Sequence, residues 1–170
     1  MTRQPNRSRA PLLLMALMVA ACAPSVSEAQ NLEELCWGAE GFMVDVVGMV
    51  AVIEPDTIDD WRTQKEVPGC TVTAAGLTDN TMRTEATLFY ERVQAAGWVR
   101  TPDPRDAPAE ASLRYRKDGA DCLFNFYTAS ILGTDAEGTV TDQVIPVRGQ
   151  ERYHFHVMCM PAAEAAPRGG

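Results

Sequence analysis

The chain has only two histidines, His154 and His156, and after residue 21 only the serines Ser25, Ser27, Ser112 and Ser130. It holds no G-x-S-x-G elbow, no H-E-x-x-H helix and no glycine-rich phosphate loop, so common signatures of acyl transfer, zinc hydrolysis and nucleotide binding are missing. The acidic pairs Glu33-Glu34 and Asp59-Asp60 are sequence neighbours on expected helices and would point different ways, unlike carboxylates that flank a scissile bond. Catalysis is therefore not expected. Basic residues are few: 15 against 23 acids, or 12 against 23 and a net −11 once Arg3, Arg7 and Arg9 of the first segment are set aside. That balance disfavours a nucleic-acid partner. None of the five cysteines stands in a C-x-x-C pair, which argues against a thioredoxin-like redox site or a zinc knuckle. The longest apolar run, 12–21, is about half the ~20 residues a transmembrane helix needs.

What remains is ample for one folded domain. The 170 residues are 46% hydrophobic and 22% charged, a balance that buries a core and argues against wholesale disorder. The basic start, the apolar run and the small-residue exit of residues 1–21 have the three-part form of a secretory signal. At its exit, Val19-Ala20-Ala21-Cys22 resembles the lipobox of bacterial lipoproteins. The resemblance implies cleavage before Cys22, acylation of its thiol and, with Ala23 rather than Asp next, an outer-membrane address. Residues 22–30 then form a linker from the anchor. Ordinary cleavage after Ser27-Glu28-Ala29 would instead leave a soluble periplasmic protein beginning at Gln30. Either route places the chain outside the cytosol.

In an oxidising compartment the even set Cys36, Cys70, Cys122 and Cys159 reads as two disulfides with three possible connectivities. A crosslink closing about 35 residues contributes roughly 3–4 kcal/mol in the chain-entropy picture. The single expected domain spans 31–161, with a helical part over 31–66, a β-α-β-β-β part over 70–161 and a disordered tail from 162 to 170. Leu32, Leu35, Ala39, Phe42, Val46, Val50 and Ile53 recur at helical spacing after a capping Asn31, up to Pro55, and a short second helix is expected from Thr57. Residues 28–66 hold most of the excess acid, read as a solvated helix face.

Cys70–Ala75 alternates as a short strand, and Met82, Ala86, Phe89, Val93 and Ala96 form one helical stripe closed by Gly97, with Trp98 folding back as a Schellman partner. Residues 101–108 read as a Pro- and Asp-rich loop. Asp118-Gly119 suits a two-residue hairpin turn and fixes Tyr115 opposite Cys122 and Leu113 opposite Phe124. A final strand, 152–160, returning antiparallel beside 122–128 brings Cys159 opposite Cys122, Val157 opposite Phe124 and Phe155 opposite Phe126. Hence Cys122 pairs with Cys159 and Cys36 with Cys70. Residues 130–149 read as a long loop. The expected fold is α+β: a small antiparallel sheet with the helices packed on one face.

The same parity gathers Arg114, Arg116, Asn125, Tyr127, His154, His156, Met158 and Met160 on the opposite sheet face. Arg114, Arg116 and Tyr127 are the residue types favoured at interface centres and read as a partner-binding patch, although Asp121 also falls opposite Arg116 and can pair with it. Two imidazoles and a thioether at His154, His156 and Met158 suit copper(I), the one metal the sequence suggests. The overall expectation is a non-catalytic, lipid-anchored envelope protein that binds or assembles with an envelope partner; a periplasmic copper-binding role is the alternative.

Overall fold

The computed structural model describes residues 26–101 and 112–163. The expected signal segment, Cys22 and most of the tail lie outside them. The fold is α+β: six antiparallel strands in the order β1-β2-β6-β5-β4-β3 with three helices. Helix α1 (Val26–Gly41) runs on into a wider π-type turn, Phe42–Val47, and is followed by β1 (Val50–Asp60) and β2 (Lys65–Thr78). Then come α2 (Met82–Ala95), β3 (Val99–Arg100), β4 (Ser112–Lys117), β5 (Ala120–Tyr127), α3 (Asp135–Gln143) and β6 (Glu151–Pro161).

The N-terminal half departs from its expected helices. Helix α1 begins at Val26, so the end of the expected linker is helical, and it stops well before Ile53. Gly48, at φ 80°, closes the helical segment in the left-handed region, and the β-branched run Val50–Ile53 continues as strand. Pro55 ends nothing: β1 is an edge strand, where a missing N–H is tolerated. The segment from Thr57 is the second half of β1 and leads into a tight turn, Trp61–Gln64, rather than a helix. The expected strand at 70–75 is accordingly the middle of a 14-residue β2.

From β4 onward the register is the expected one. Tyr115 pairs with Cys122 and Leu113 with Phe124, while Cys122 pairs with Cys159, Phe124 with Val157 and Phe126 with Phe155. Both disulfides form, Cys36–Cys70 and Cys122–Cys159. Because Cys70 also pairs with Cys159 across β2 and β6, the two crosslinks lie side by side in one row of the sheet. The end of α2 is a Schellman motif: Trp98 N–H donates to Val93 O, Gly97 N–H donates to Gln94 O, and Gly97 stands at φ 86°.

Helices α1 and α2 cover one face of the sheet. Phe89 of α2 stacks on Phe155 with ring centroids 3.7 Å apart, and Phe42, Tyr90 and Phe124 pack around it. The stretch read as a long loop contains α3, which packs Val140 with the nearby Val144 onto Ala75, Val50, Val52 and Leu77 of the opposite face. Its N-cap is Thr134, whose hydroxyl accepts from Glu137 N–H.

Candidate functional site

The second sheet face carries the residues that the sequence suggested for partner and metal binding, Arg114, Arg116, Tyr127, His154, His156 and Met158. Pairing sets these side chains in rows across the strands: Ala75, His154 and Tyr127; Thr73, His156 and Asn125; Thr71, Met158, Leu123 and Arg114; Met160, Asp121 and Arg116. The face is not open. Helix α3 covers the first row, and the β1–β2 turn folds over the last.

Beneath that turn lies an ionic clasp. Arg116 donates to both oxygens of Asp121, at 2.6 and 2.8 Å, and Arg62 from the turn reaches the same carboxylate at 3.1 Å and Asp60 at 3.0 Å. Arg114 is 1% exposed, stands 3.8 Å from Asp60, lies under the Trp61 ring and donates to Met160 Sδ. Burial alone would raise the Asp121 carboxyl, but hydrogen bonds from Arg116, Ala163 N–H and Arg62 outweigh it and hold the group below the ordinary aspartate range. Thus Arg114 is interior, Arg116 is committed to Asp121, and Tyr127, half-buried, stands at the far end of the face beside α3. The three residues expected to form one patch are not gathered into one. Sequence reading missed Asp60 and Arg62, because it placed them in a helix.

His154 and His156 share the face but not an environment. His154 is 2% exposed; its Nε2 is 3.1 Å from Thr141 Oγ1 and 3.5 Å from Ser130 Oγ, while Nδ1 has no partner. Burial, then the Arg152 charge, lowers its pKa and holds the ring neutral. His156 lies 3.5 Å from Thr73 Oγ1, and burial lowers its pKa too. His154, His156 and Met158 are two residues apart, about 7 Å along a strand, and the side chains flanking them in each row are Thr, Ala, Asn, Tyr and Leu. Among the described residues no three His, Cys, Asp or Glu side chains cluster closely enough to hold a metal ion. Near Ser130 the backbone N–H groups of Ile131, Leu132 and Gly133 all donate to the Glu137 carboxylate. Those donors face a resident anion instead of an empty oxyanion position.

A cleft of about 410 Å³ opens on the other side of the molecule, between α1 and the turn of the β4–β5 hairpin. Trp37, Gly38 and Glu34 of α1 form one wall, Lys117, Asp118 and Ala120 the other, with Trp98 between them. No family model, curated protein or solved structure matches the chain.

Proposed function

We propose that the protein is a non-catalytic lipoprotein of the bacterial cell envelope, anchored through Cys22 and acting as a binding component. The pair of adjacent buried disulfides carries the reading, because such crosslinks persist in oxidising compartments and are rare in reducing ones. The lipobox-like Val19–Cys22 segment supplies the route and the anchor. Binding is favoured because the molecule keeps a preformed cleft on a crosslinked scaffold, whereas its two imidazoles face hydroxyls on a covered sheet. No helix among the described residues is long and apolar enough to cross a membrane.

The test is incorporation of labelled palmitate in a bacterial host, followed by separation of inner and outer membranes. The wild type should carry label and sediment with the outer membrane, and Cys22→Ser should carry none. An unlabelled wild type recovered in the cytosol would overturn the reading.

A further inference from the structure

We propose that two copies of this chain associate through β1, by antiparallel pairing of residues 50–54 about a two-fold axis at Val52. The association does not require the lipid anchor. Each edge of a sheet presents a row of unpaired backbone groups, which natural proteins keep short, interrupt with proline, charge or cover. At one edge of this sheet β3 has only two residues. At the other, β1 has eleven, and among the described residues no strand pairs with its outer side.

Parity decides which backbone groups face outward. Cys122 and Cys159 stand opposite one another at a Cα–Cα distance of 4.1 Å, the close spacing of a pair without ladder hydrogen bonds. Cys159 therefore turns its backbone groups to Cys70, and Cys70 turns its own away from Pro55. The outward row of β1 is thus Ala51, Ile53, Pro55 and Thr57. Thr57 N–H agrees, since it donates to the exposed Asp56 Oδ1 at 2.7 Å. Both ends of this row are closed: Pro55 has no N–H, Thr57 N–H is taken, and Met49, just before the strand, donates its N–H to Met43 O. Ala51 and Ile53, between them, carry no such device.

This pattern is its own complement about Val52. A two-fold axis there sets Ala51 opposite Ile53 of the second copy, where each such pair exchanges both of its N–H···O bonds. It also sets Pro55, which lacks a donor, opposite Met49, whose donor is already used. Open positions meet open ones and closed meet closed. An axis at Ala51 or at Ile53 instead leaves one carbonyl of a pair without a donor. The same axis separates the acids: Glu54 falls opposite Val50, and the exposed Asp56 and Asp59 of each copy run past the start of the other strand. A basic strand is the rival occupant of an acidic edge, but the carboxylates begin at Glu54, where the open stretch ends. Val46, 57% exposed in the turn leading into β1, and Ile145, 74% exposed beside Gly48, are the apolar groups at this edge that a dimer would shield.

The experiment is sedimentation equilibrium of the full mature chain in a neutrally buoyant detergent, which should show dimer below about 100 µM. Ala51→Pro removes an outward N–H from a strand that already carries Pro55 in the same row, and should weaken the dimer at least tenfold with an unchanged thermal transition. Cysteine variants read the register. Val52→Cys should crosslink two copies under mild oxidation, because the axis sets those Cα atoms about 4.5 Å apart. Glu54→Cys should not, because its counterpart lies about 14 Å away. Should Ala51→Pro unfold the chain, the cysteine pair decides alone. A monomer up to about 100 µM, a dimer undiminished by a folded Ala51→Pro, or crosslinking of Glu54→Cys as fast as Val52→Cys overturns the proposal. So does a monomer whose Ala51 and Ile53 amides gain exchange protection from the peptide acetyl-(Lys-Val)3-amide, since the occupant would then be a basic strand.

Discussion

Replacing Asp121 by alanine removes the centre of the clasp that holds the β1–β2 turn against β4 and β5. The carboxylate is fully buried and accepts two hydrogen bonds from Arg116, one from Arg62 and one from Ala163 N–H. Arg62, with its side chain 7% exposed, would lose this carboxylate while keeping Asp60. Breaking a buried, hydrogen-bonded ion pair from one side costs about 3–5 kcal/mol, far above the ~0–1 kcal/mol of an exposed pair. With a urea slope of ~2 kcal/mol/M, the unfolding midpoint at pH 7 should fall by about 2 M. Arg116→Ala should cost less, about 1–2 kcal/mol, because its side chain is 39% exposed and Asp121 keeps Arg62 and the Ala163 amide. The effect is also pH-dependent. A carboxyl whose folded pKa is depressed contributes stability that is fully present above its unfolded value and is lost as pH falls toward the folded one. The gap between wild type and Asp121→Asn should therefore be constant from neutral pH down to about pH 5 and shrink as pH drops below the ordinary value of 3.8. Urea titrations of the three variants and wild type at several pH values measure all of this. A loss below ~1 kcal/mol for Asp121→Ala, with no convergence in acid, would refute the buried clasp.

Other expectations are equally direct. Each disulfide closes a loop of similar length, with sequence separations of 34 and 37, so removing either as a double Cys→Ala variant should cost about 3.8 kcal/mol by urea unfolding. Near-equal losses support independent crosslinks, and a negligible loss for one contradicts its role. Gly69→Ala should destabilise by about 3 kcal/mol, because an added Cβ falls inside the radius of the Cys159 carbonyl oxygen and presses on Ile58 Cγ1. A variant as stable as wild type would show that β2 and β6 are not packed so closely there. Thr134→Ala removes the α3 N-cap and should cost about 1 kcal/mol, with faster amide exchange confined to α3; unchanged exchange in α3 would contradict the capping role.

The second half of the fold was legible because turn chemistry and parity act together. Asp118-Gly119 sets the β4–β5 register, and parity together with the Cys122–Cys159 match then sets the register of the last strand. The first half was not, because Val50, Ala51, Val52 and Ile53 form a continuous apolar run that fits a helical stripe as well as a strand. The β-branched content was the better signal, and Pro55 punctuates an edge strand as readily as a helix end. Helix α3 hid because it is short, contains Gly138 and three threonine or valine residues of low helix propensity, and buries little beyond Ala136, Glu137 and Val140. Its Thr134-x-x-Glu137 pattern is a capping signature in plain view. Parity placed Arg114, Arg116, His154 and His156 on their face, but parity cannot say what covers a face. The covering pieces, α3 and the Trp61–Gln64 turn, are both among the elements the sequence pattern conceals. Trp37 and Trp98 are far apart in sequence and line one cleft only once α1 is tied to the sheet at Cys70.

The most direct measurement is the intact mass of the protein purified from the envelope, alkylated before and after reduction. The expected product begins at Cys22, carries acyl mass and takes up no alkyl groups until it is reduced, after which it takes up four. A chain that retains residues 1–21 and is alkylated at four cysteines without reduction would contradict both the compartment and the crosslinked architecture.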